Sequence, residues 1–258
     1  MHNLRVIARL DIKGPNLIKS VQLEGLRVVG DPHQHALSYY ADGADELLFM
    51  DSVASLYQRN NLSEIIKRAA DRIFVPITVA GGIRTLDDVL RMMSSGADKV
   101  AINTAAIARP ELIEDVANRY GAQCMVLGIE AKRVGPSRWE AYTDNGRERS
   151  GLDVIQWARE AVDRGAGEIL LTSVDQEGTR RGFDIPLVEQ ICAEVPVPVI
   201  ASGGFGKSTD LVAASDAGAS AVAIADALHW KRMSLTQIKE AAVYAGLDVR
   251  TDVPGQVE

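Results

Sequence analysis

Two acidic residues in this sequence directly follow short apolar runs, where the end of a strand would expose them. Asp11 ends the run that starts at Val6, and Glu130 ends the run that starts at Cys124. Paired carboxylates can carry out general acid–base chemistry, provided that their surroundings separate their pKa values. The alternative is that both are solvated acids at strand ends.

Two glycine pairs, Gly81-Gly82 and Gly203-Gly204, also follow apolar runs. Glycine lets backbone N–H groups approach an anion closely, next to a helix start whose dipole favours negative charge. The two sites are not equivalent, because Thr104 in the first corresponds to Asp226 in the second. Threonine can donate to a phosphate, whereas an ionised aspartate repels it. We predict an intact site at Gly82, Asn103 and Thr104 and a compromised one at Gly204 and Asp226, where Asp226 could instead point away or bind a hydroxyl.

A third group of charged residues lies where strands are expected to begin, at the opposite end of the fold. It comprises two cations and two anions, Arg5, Glu46, Lys99 and Glu168. Charges of this kind are costly to bury unpaired, so we expect them to close a ring. The ring could be a gate, or a plug that only stabilises the fold.

The elements that position these residues come in two similar halves. Residues 75–102 and 197–224 repeat one pattern at a spacing of 122, and each half holds four strand–helix units. This predicts an α/β fold, a (β/α)8 TIM barrel, as one domain over residues 1–258 with half-barrels at about 1–122 and 123–250. A doubly wound open sheet is the alternative. Residues 13–32 are predicted to form a lid or binding loop. Residues 138–148 are predicted to form a hairpin with Asn145-Gly146 at its turn.

Composition narrows the classes of partner. The net charge of −7 argues against nucleic acid, and no apolar run approaches the roughly 18 residues of a membrane span. No signal peptide is evident, and the two scattered cysteines fit a reducing compartment, so we expect a cytoplasmic protein. We expect no metal site among the four dispersed histidines, and no cofactor.

The chain resembles the cyclase subunit of imidazole glycerol phosphate synthase over nearly its whole length. The resemblance rests on motifs in both halves: LDIK from Leu10, GDP from Gly30, GGI from Gly81, GADKVAINTAA from Gly96, GAGEILLTSVDQEGT from Gly165 and IASGGFGK from Ile200. It implies a half-repeat barrel that forms a heterodimer with a glutaminase docked on its bottom, N-terminal face. Ammonia would pass through the barrel to a phosphorylated substrate, a bisphosphate ribulosyl aminoimidazole-carboxamide ribotide, giving imidazole glycerol phosphate and a purine precursor.

The resemblance also implies roles for individual residues. Asp11 matches the catalytic acid, and Lys19, a lid-loop lysine, is also predicted to be catalytic. Glu130 stands at the second catalytic position, where we expect a base. The remaining matches fall in three groups: substrate or phosphate binding by Gly82, Asn103, Thr104, Asp51, Glu177, Gly178, Gly204 and Asp226; an ammonia gate of Arg5, Glu46, Lys99 and Glu168; and a glutaminase interface with Asp98, Gln123 and Arg250.

Four departures from the family pattern cluster at the top of the barrel. Glu130 and Glu177 replace aspartates, Asp226 replaces serine, and Arg9 replaces cysteine. The longer carboxylate moves its oxygens by about 1.5 Å, and a misplacement near 1 Å can cost on the order of 100-fold in rate. Two hypotheses follow. The chain is an ammonia-using cyclase/lyase, or it is a paralogue that conducts ammonia for amidation of a surface-polysaccharide sugar, with little or no cyclase activity.

Overall fold

The computed structural model describes residues 3–52 and 62–252. Within these ranges the strands are β1 (Arg5–Lys13), β2 (Asn16–Val21), β3 (Glu24–Gly30), β4 (Glu46–Asp51), β5 (Ile77–Ala80), β6 (Lys99–Ile102), β7 (Met125–Gly135), β8 (Arg138–Thr143), β9 (Glu148–Asp153), β10 (Glu168–Ser173), β11 (Val199–Ser202) and β12 (Ala221–Ile224). The helices are α1 (Pro32–Ala41), α2 (Leu62–Ala70), α3 (Leu86–Ser94), α4 (Thr104–Ala108), α5 (Glu111–Tyr120), α6 (Val154–Asp163), α7 (Ile185–Glu194), α8 (Thr209–Asp216), α9 (Asp226–His229) and α10 (Leu235–Tyr244), with a short 3-10 turn at Ala122–Cys124.

Eight of the strands close into a parallel barrel. Its order is β1, β4, β5, β6, β7, β10, β11 and β12, and β12 pairs with β1 to complete the ring. This confirms the predicted (β/α)8 barrel and excludes the open sheet. Because β1 and β7 are four strands apart in either direction, the ends of these two strands lie on opposite sides of the barrel mouth.

The core has two parts because successive side chains of a strand point to opposite faces of the sheet. In β1, Val6, Ala8 and Leu10 pack outward into the layer between barrel and helices. Ile7 points inward and belongs to a smaller apolar cluster in the lumen. That cluster contains Ile7, Leu48, Ala80, Ala101, Val126, Leu170, Ile200, Ala221 and Ala223.

Each half of the barrel carries an antiparallel hairpin on its first strand. β2 pairs with β1 and with β3, and β8 pairs with β7 and with β9. The prediction of a lid loop over residues 13–32 is therefore wrong in its local structure, because most of that segment is a hairpin that turns at Gln22 and Leu23, both at left-handed φ. The predicted hairpin around Asn145-Gly146 is confirmed. None of the helices in the described ranges has the length and apolar character needed to cross a membrane.

Candidate active site

Asp11 lies near the end of β1 and is held by two cations. Its Oδ1 accepts from Arg9 Nε at 2.8 Å, and its Oδ2 lies 3.5 Å from Lys19 Nζ. Burial alone would raise the pKa of Asp11, but the charges of Arg9 and Lys19 outweigh it and hold the pKa below its ordinary value. Asp11 is thus a buried carboxylate that stays ionised.

Arg9 was noted in the sequence as a departure from the family pattern, but no contact or role was predicted for it. Its guanidinium lies inside the barrel, with Nη1 donating to Thr172 Oγ1 at 3.2 Å and to Ser202 Oγ at 2.9 Å. Its Nη2 lies 3.2 Å from the sulfur of Met50. The sequence could have indicated the position of Arg9, because residues two positions apart on a strand point to the same face and Asp11 was expected to point inward. Arg9 therefore spans the lumen directly below the mouth.

Lys19 and Glu177 complete a buried group of four charges, called here the charge cluster: Arg9, Lys19, Asp11 and Glu177. Lys19 Nζ contacts Glu177 Oε1, and Arg9 Nη1 lies 3.9 Å from Glu177 Oε2. All four side chains are at most 4% exposed. Two cations and two anions balance, which is the condition for burying them together.

The β2–β3 hairpin brings Lys19 into this cluster. The hairpin is fixed by Gln22, whose backbone N–H donates to the Glu177 carbonyl at 2.7 Å and whose Nε2 donates to the Asp175 carbonyl at 3.1 Å. Burial disfavours the charge on Lys19, but the carboxylates of Glu177 and Asp11 raise its pKa above the ordinary value. The hairpin thus lies over the mouth, as expected of a lid.

Glu130 behaves differently from Asp11. Burial raises its pKa to about 7, against the opposing effect of the Gly146 N–H, which donates to Oε2 at 2.7 Å. Near neutral pH Glu130 therefore holds a proton for part of the time, while Asp11 stays ionised. The two pKa values are therefore separated, as acid–base chemistry requires.

The first glycine pair opens into a cavity of about 470 Å³. This volume is within the usual range of small-molecule sites. Two cations, Arg84 and Arg109, line it, and the predicted residues Asp51, Gly82, Asn103, Thr104 and Glu130 all face it. The structure thus brings the predicted phosphate-site residues and one of the two predicted catalytic carboxylates to the same cavity.

A much smaller cavity lies beside the second glycine pair. The cavity there measures about 10 Å³ and is lined by Arg9, Glu177, Gly178, Gly203, Gly204, Phe205, Ala223, Ala225 and Asp226. Asp226 Oδ1 lies 3.3 Å from Arg232 Nε and 3.7 Å from Arg180 Nε. Asp226 thus lines this cavity and forms ion pairs with two arginines.

The four predicted ring residues form a closed ring at the N-terminal end of the barrel. Arg5 contacts Glu168 and lies 3.0 Å from Glu46, while Lys99 Nζ lies 2.9 Å from Glu46 and 2.8 Å from Glu168. Each cation touches both anions. The apolar lumen cluster lies above this ring, and Arg9 lies above the cluster.

The three predicted interface residues lie at the same end as the ring: Asp98 and Gln123 shortly precede β6 and β7, and Arg250 contacts Asp45, which precedes β4. Asp98 accepts from the Ile77 N–H at 2.8 Å, and Arg250 Nε donates to Asp45 at 2.9 Å. Gln123 donates to the Tyr120 carbonyl at 3.2 Å. The three therefore share one face, although their present contacts are within the chain.

A buried histidine near the mouth was also missed. His229 Nδ1 shares a hydrogen bond of 2.7 Å with the Tyr39 hydroxyl. Burial lowers the pKa of His229 to about 3, so the ring is neutral. No local sequence pattern predicts this hydrogen bond, because the partner of His229 is Tyr39 in α1, near the other end of the chain.

A barrel with paired carboxylates and a glycine-lined cavity at the C-terminal ends of its strands belongs to the class of (β/α)8-barrel enzymes. The sequence pattern of the family described as "Histidine biosynthesis protein" matches residues 5–234. The chain belongs to this family.

Curated relatives support the same assignment. The chain is 65% identical over 207 residues to the imidazole glycerol phosphate synthase subunit HisF of Legionella pneumophila, covering 80% of this chain and 98% of that one. It is 46% identical over 250 residues to the subunit of the same name in Gluconacetobacter diazotrophicus, covering 97% of each chain. The Myxococcus xanthus subunit is 48% identical over 248 residues, covering 96% of this chain and 98% of that one. These relatives support the interpretation as a cyclase-type enzyme and give no support to the sugar-amidation alternative.

Proposed function

We propose that this chain is the ammonia-using cyclase/lyase subunit of a two-subunit glutamine amidotransferase of the imidazole glycerol phosphate synthase type. Its substrate would be a phosphoribulosyl aminoimidazole-carboxamide-type compound. The observation that carries the proposal is the pair of opposed carboxylates, the buried Asp11 and the partly buried Glu130, whose pKa values are shifted in opposite directions. Glu130 lines the cavity of about 470 Å³, and both carboxylates lie above an apolar lumen.

The proposed chemistry needs one proton donor and one proton acceptor. When ammonia replaces the oxygen of a ribulosyl carbonyl, the nitrogen loses protons and the departing oxygen gains them to leave as water. Glu130, with its pKa near 7, would protonate the oxygen, and the Asp11 carboxylate would take a proton from the nitrogen. Arg9 and Lys19 are positioning residues that keep Asp11 ionised and oriented.

The phosphate of the substrate would bind where Gly82, Asn103 and Thr104 line the large cavity. Arg84 and Arg109 line the same cavity and add positive charge. Cations and closely approachable glycine backbone suit a phosphate ester. The cavity would therefore hold the phosphate end of the substrate with its reacting carbon near Glu130.

The lumen would supply the ammonia. Its apolar lining favours neutral ammonia over the ammonium ion, because an unpaired charge is costly to bury. The ring of Arg5, Glu46, Lys99 and Glu168 would act as the gate, and Arg9 at the top would repel any ammonium. A glutaminase would dock on the face that carries the ring, with Asp98, Gln123 and Arg250 in the interface.

The proposal is tested by turnover of the family's bisphosphate substrate with excess ammonium salt and no glutaminase. Free ammonia bypasses the partner, so the assay reports only on the mouth of the barrel. We expect turnover that is lost in Asp11→Asn and kept in Asp163→Asn, a matched change at the exposed end of α6. Absence of turnover in a correctly folded wild-type chain would refute the proposed function.

A further inference from the structure

The two halves of the barrel differ at one pair of equivalent positions inside the lumen. Arg9 pairs in register with Leu48, and Gly128 pairs in register with Leu170. Leu48 and Leu170 are equivalent at the repeat spacing of 122, so Arg9 and Gly128 are equivalent as well. One half therefore places a long cationic side chain in the lumen, and the other half places no side chain there.

Arg9 divides the upper end of the lumen into two sides. Its Nη1 donates to Thr172 on β10, and its Nη2 lies 3.2 Å from the sulfur of Met50 on β4. These two strands lie opposite each other in the ring, so the guanidinium crosses the lumen from wall to wall. Strands β5, β6 and β7 lie on one side of it, and β11 and β12 lie on the other. On the side of β11 and β12, the cavity next to Arg9 measures about 10 Å³.

On the side of β5, β6 and β7, the lumen opens into the large cavity. Ala80, Ala101 and Leu170 belong to the apolar lumen cluster and also line the cavity of about 470 Å³. Gly128 lines the same cavity, and a Cβ built on it would have its nearest contact with Asn103 Cβ at 3.4 Å, an ordinary van der Waals distance. Small residues on three successive strands therefore leave room between the lumen and the cavity.

A polar atom lies beside this opening. Asn103 Nδ2 donates to the Tyr142 carbonyl at 3.0 Å, while Asn103 Oδ1 is buried and has no hydrogen-bond partner within residues 3–52 and 62–252. Leaving a buried acceptor unsatisfied costs free energy. Ammonia carries three N–H donors and would satisfy this oxygen as it passes. The opening thus combines apolar walls with one acceptor, which suits a small neutral hydrogen-bond donor.

We infer that ammonia leaves the lumen sideways, through the opening bounded by Ala80, Ala101 and Gly128, and enters the large cavity next to Glu130. Glu130 lies two positions beyond Gly128 on the same face of β7. Arg9 directs ammonia to this side by occupying the lumen on the other side. The inference rests on the proposed function for the identity of the transported molecule. Ammonia would then arrive where the reacting carbon of the substrate is proposed to lie.

The half-repeat supplies a matched pair of variants. Ala101 and Ala223 are equivalent positions, and both belong to the lumen cluster with 4% exposure. Ala101→Val narrows the opening, whereas Ala223→Val adds the same two methyl groups on β12. For each variant, turnover driven by glutamine and a glutaminase is divided by turnover driven by ammonium salt, whose ammonia reaches the cavity from solvent.

We expect this ratio to fall severalfold in Ala101→Val and in Gly128→Val, and to keep the wild-type value in Ala223→Val. The division removes any effect of a variant on substrate binding or on the chemical step. An unchanged ratio in correctly folded Ala101→Val and Gly128→Val would overturn the inference, as would an equal fall in Ala101→Val and Ala223→Val.

A second measurement does not depend on turnover. The thiols introduced in Ala101→Cys and Ala223→Cys are modified with methyl methanethiosulfonate, and mass spectrometry of peptides separates them from the native Cys124 and Cys192. We expect modification to be severalfold faster in Ala101→Cys, and equal rates would overturn the inference. Faster modification in Ala101→Cys without any turnover of the bisphosphate substrate rejects the proposed function alone. Turnover together with equal modification rates rejects this inference alone.

Discussion

Replacing Arg9 by methionine removes one of the two cations from the charge cluster and should destabilise the fold strongly. Methionine fills a similar linear space, so the change is mainly one of charge. Lys19 would then face two buried carboxylates, Asp11 and Glu177, which lie at most 4% exposed. Removing one partner of a buried ion pair typically costs about 3–5 kcal/mol, a large part of the roughly 5–15 kcal/mol that stabilises a folded protein.

The loss of stability in Arg9→Met should be larger at high pH than at low pH. In the wild type the pKa of Asp11 is lowered, so its stabilising effect is present above the ordinary carboxyl pKa and is lost only as the pH falls through the lowered value. In Arg9→Met, burial would dominate and raise a carboxyl pKa above its ordinary value. The penalty should then be full at pH 8 and relieved as the pH falls toward 5. Arg9 also lowers the pKa of Glu130, so Arg9→Met should raise that pKa further, which changes the stability in the same direction with pH.

The measurement is the free energy of unfolding in urea for both proteins at pH 5 and pH 8. Arg159→Met is the matched control, because Arg159 pairs with Glu194 at the surface with 52% of its side chain exposed. Such exposed pairs contribute less than about 1 kcal/mol. A destabilisation by Arg9→Met no larger than that of the control, and equal at the two pH values, would refute the view that Arg9 compensates the buried carboxylates.

Three further predictions concern the acid, the gate and the buried histidine. The wild-type rate per unit of free ammonia should fall as the pH rises through about 7, since Glu130 loses its proton there. Glu130→Gln should be slower by about 10²–10⁴-fold and should lack this pH dependence. A wild-type rate that instead rises through pH 7 would make Glu130 the base. Lys99→Met leaves Glu46 and Glu168 sharing one cation. Turnover driven by glutamine and a glutaminase should therefore drop severalfold, while turnover driven by ammonium salt is kept. Equal losses in both assays would reject the role of the ring as an ammonia gate. Tyr39→Phe removes the hydroxyl partner of His229 and should cost about 1–3 kcal/mol of unfolding free energy; an unchanged urea midpoint would contradict this.

Much of the fold could be read from the sequence because the two halves repeat. The glycine pairs, the apolar runs and the spacing of 122 residues indicated the eight strand–helix units, and Asp11 and Glu130 were predicted to lie at strand ends. The local structure of residues 13–32 was harder to predict. Its glycines and prolines indicated a loop, whereas it forms a hairpin because β1 continues beyond the barrel and offers β2 an edge to pair with.

The sequence by itself determined which residues could do chemistry: Asp11, Glu130, the intact glycine site at Gly82 and the four ring charges. Only the tertiary structure decided the contacts and the pKa values of these residues. Arg9 reaches Thr172 and Ser202, more than 160 positions away in the chain, and no local pattern encodes that contact. The pKa values of Asp11 and Glu130 separate because one carboxylate is buried with cations and the other without a direct ion pair.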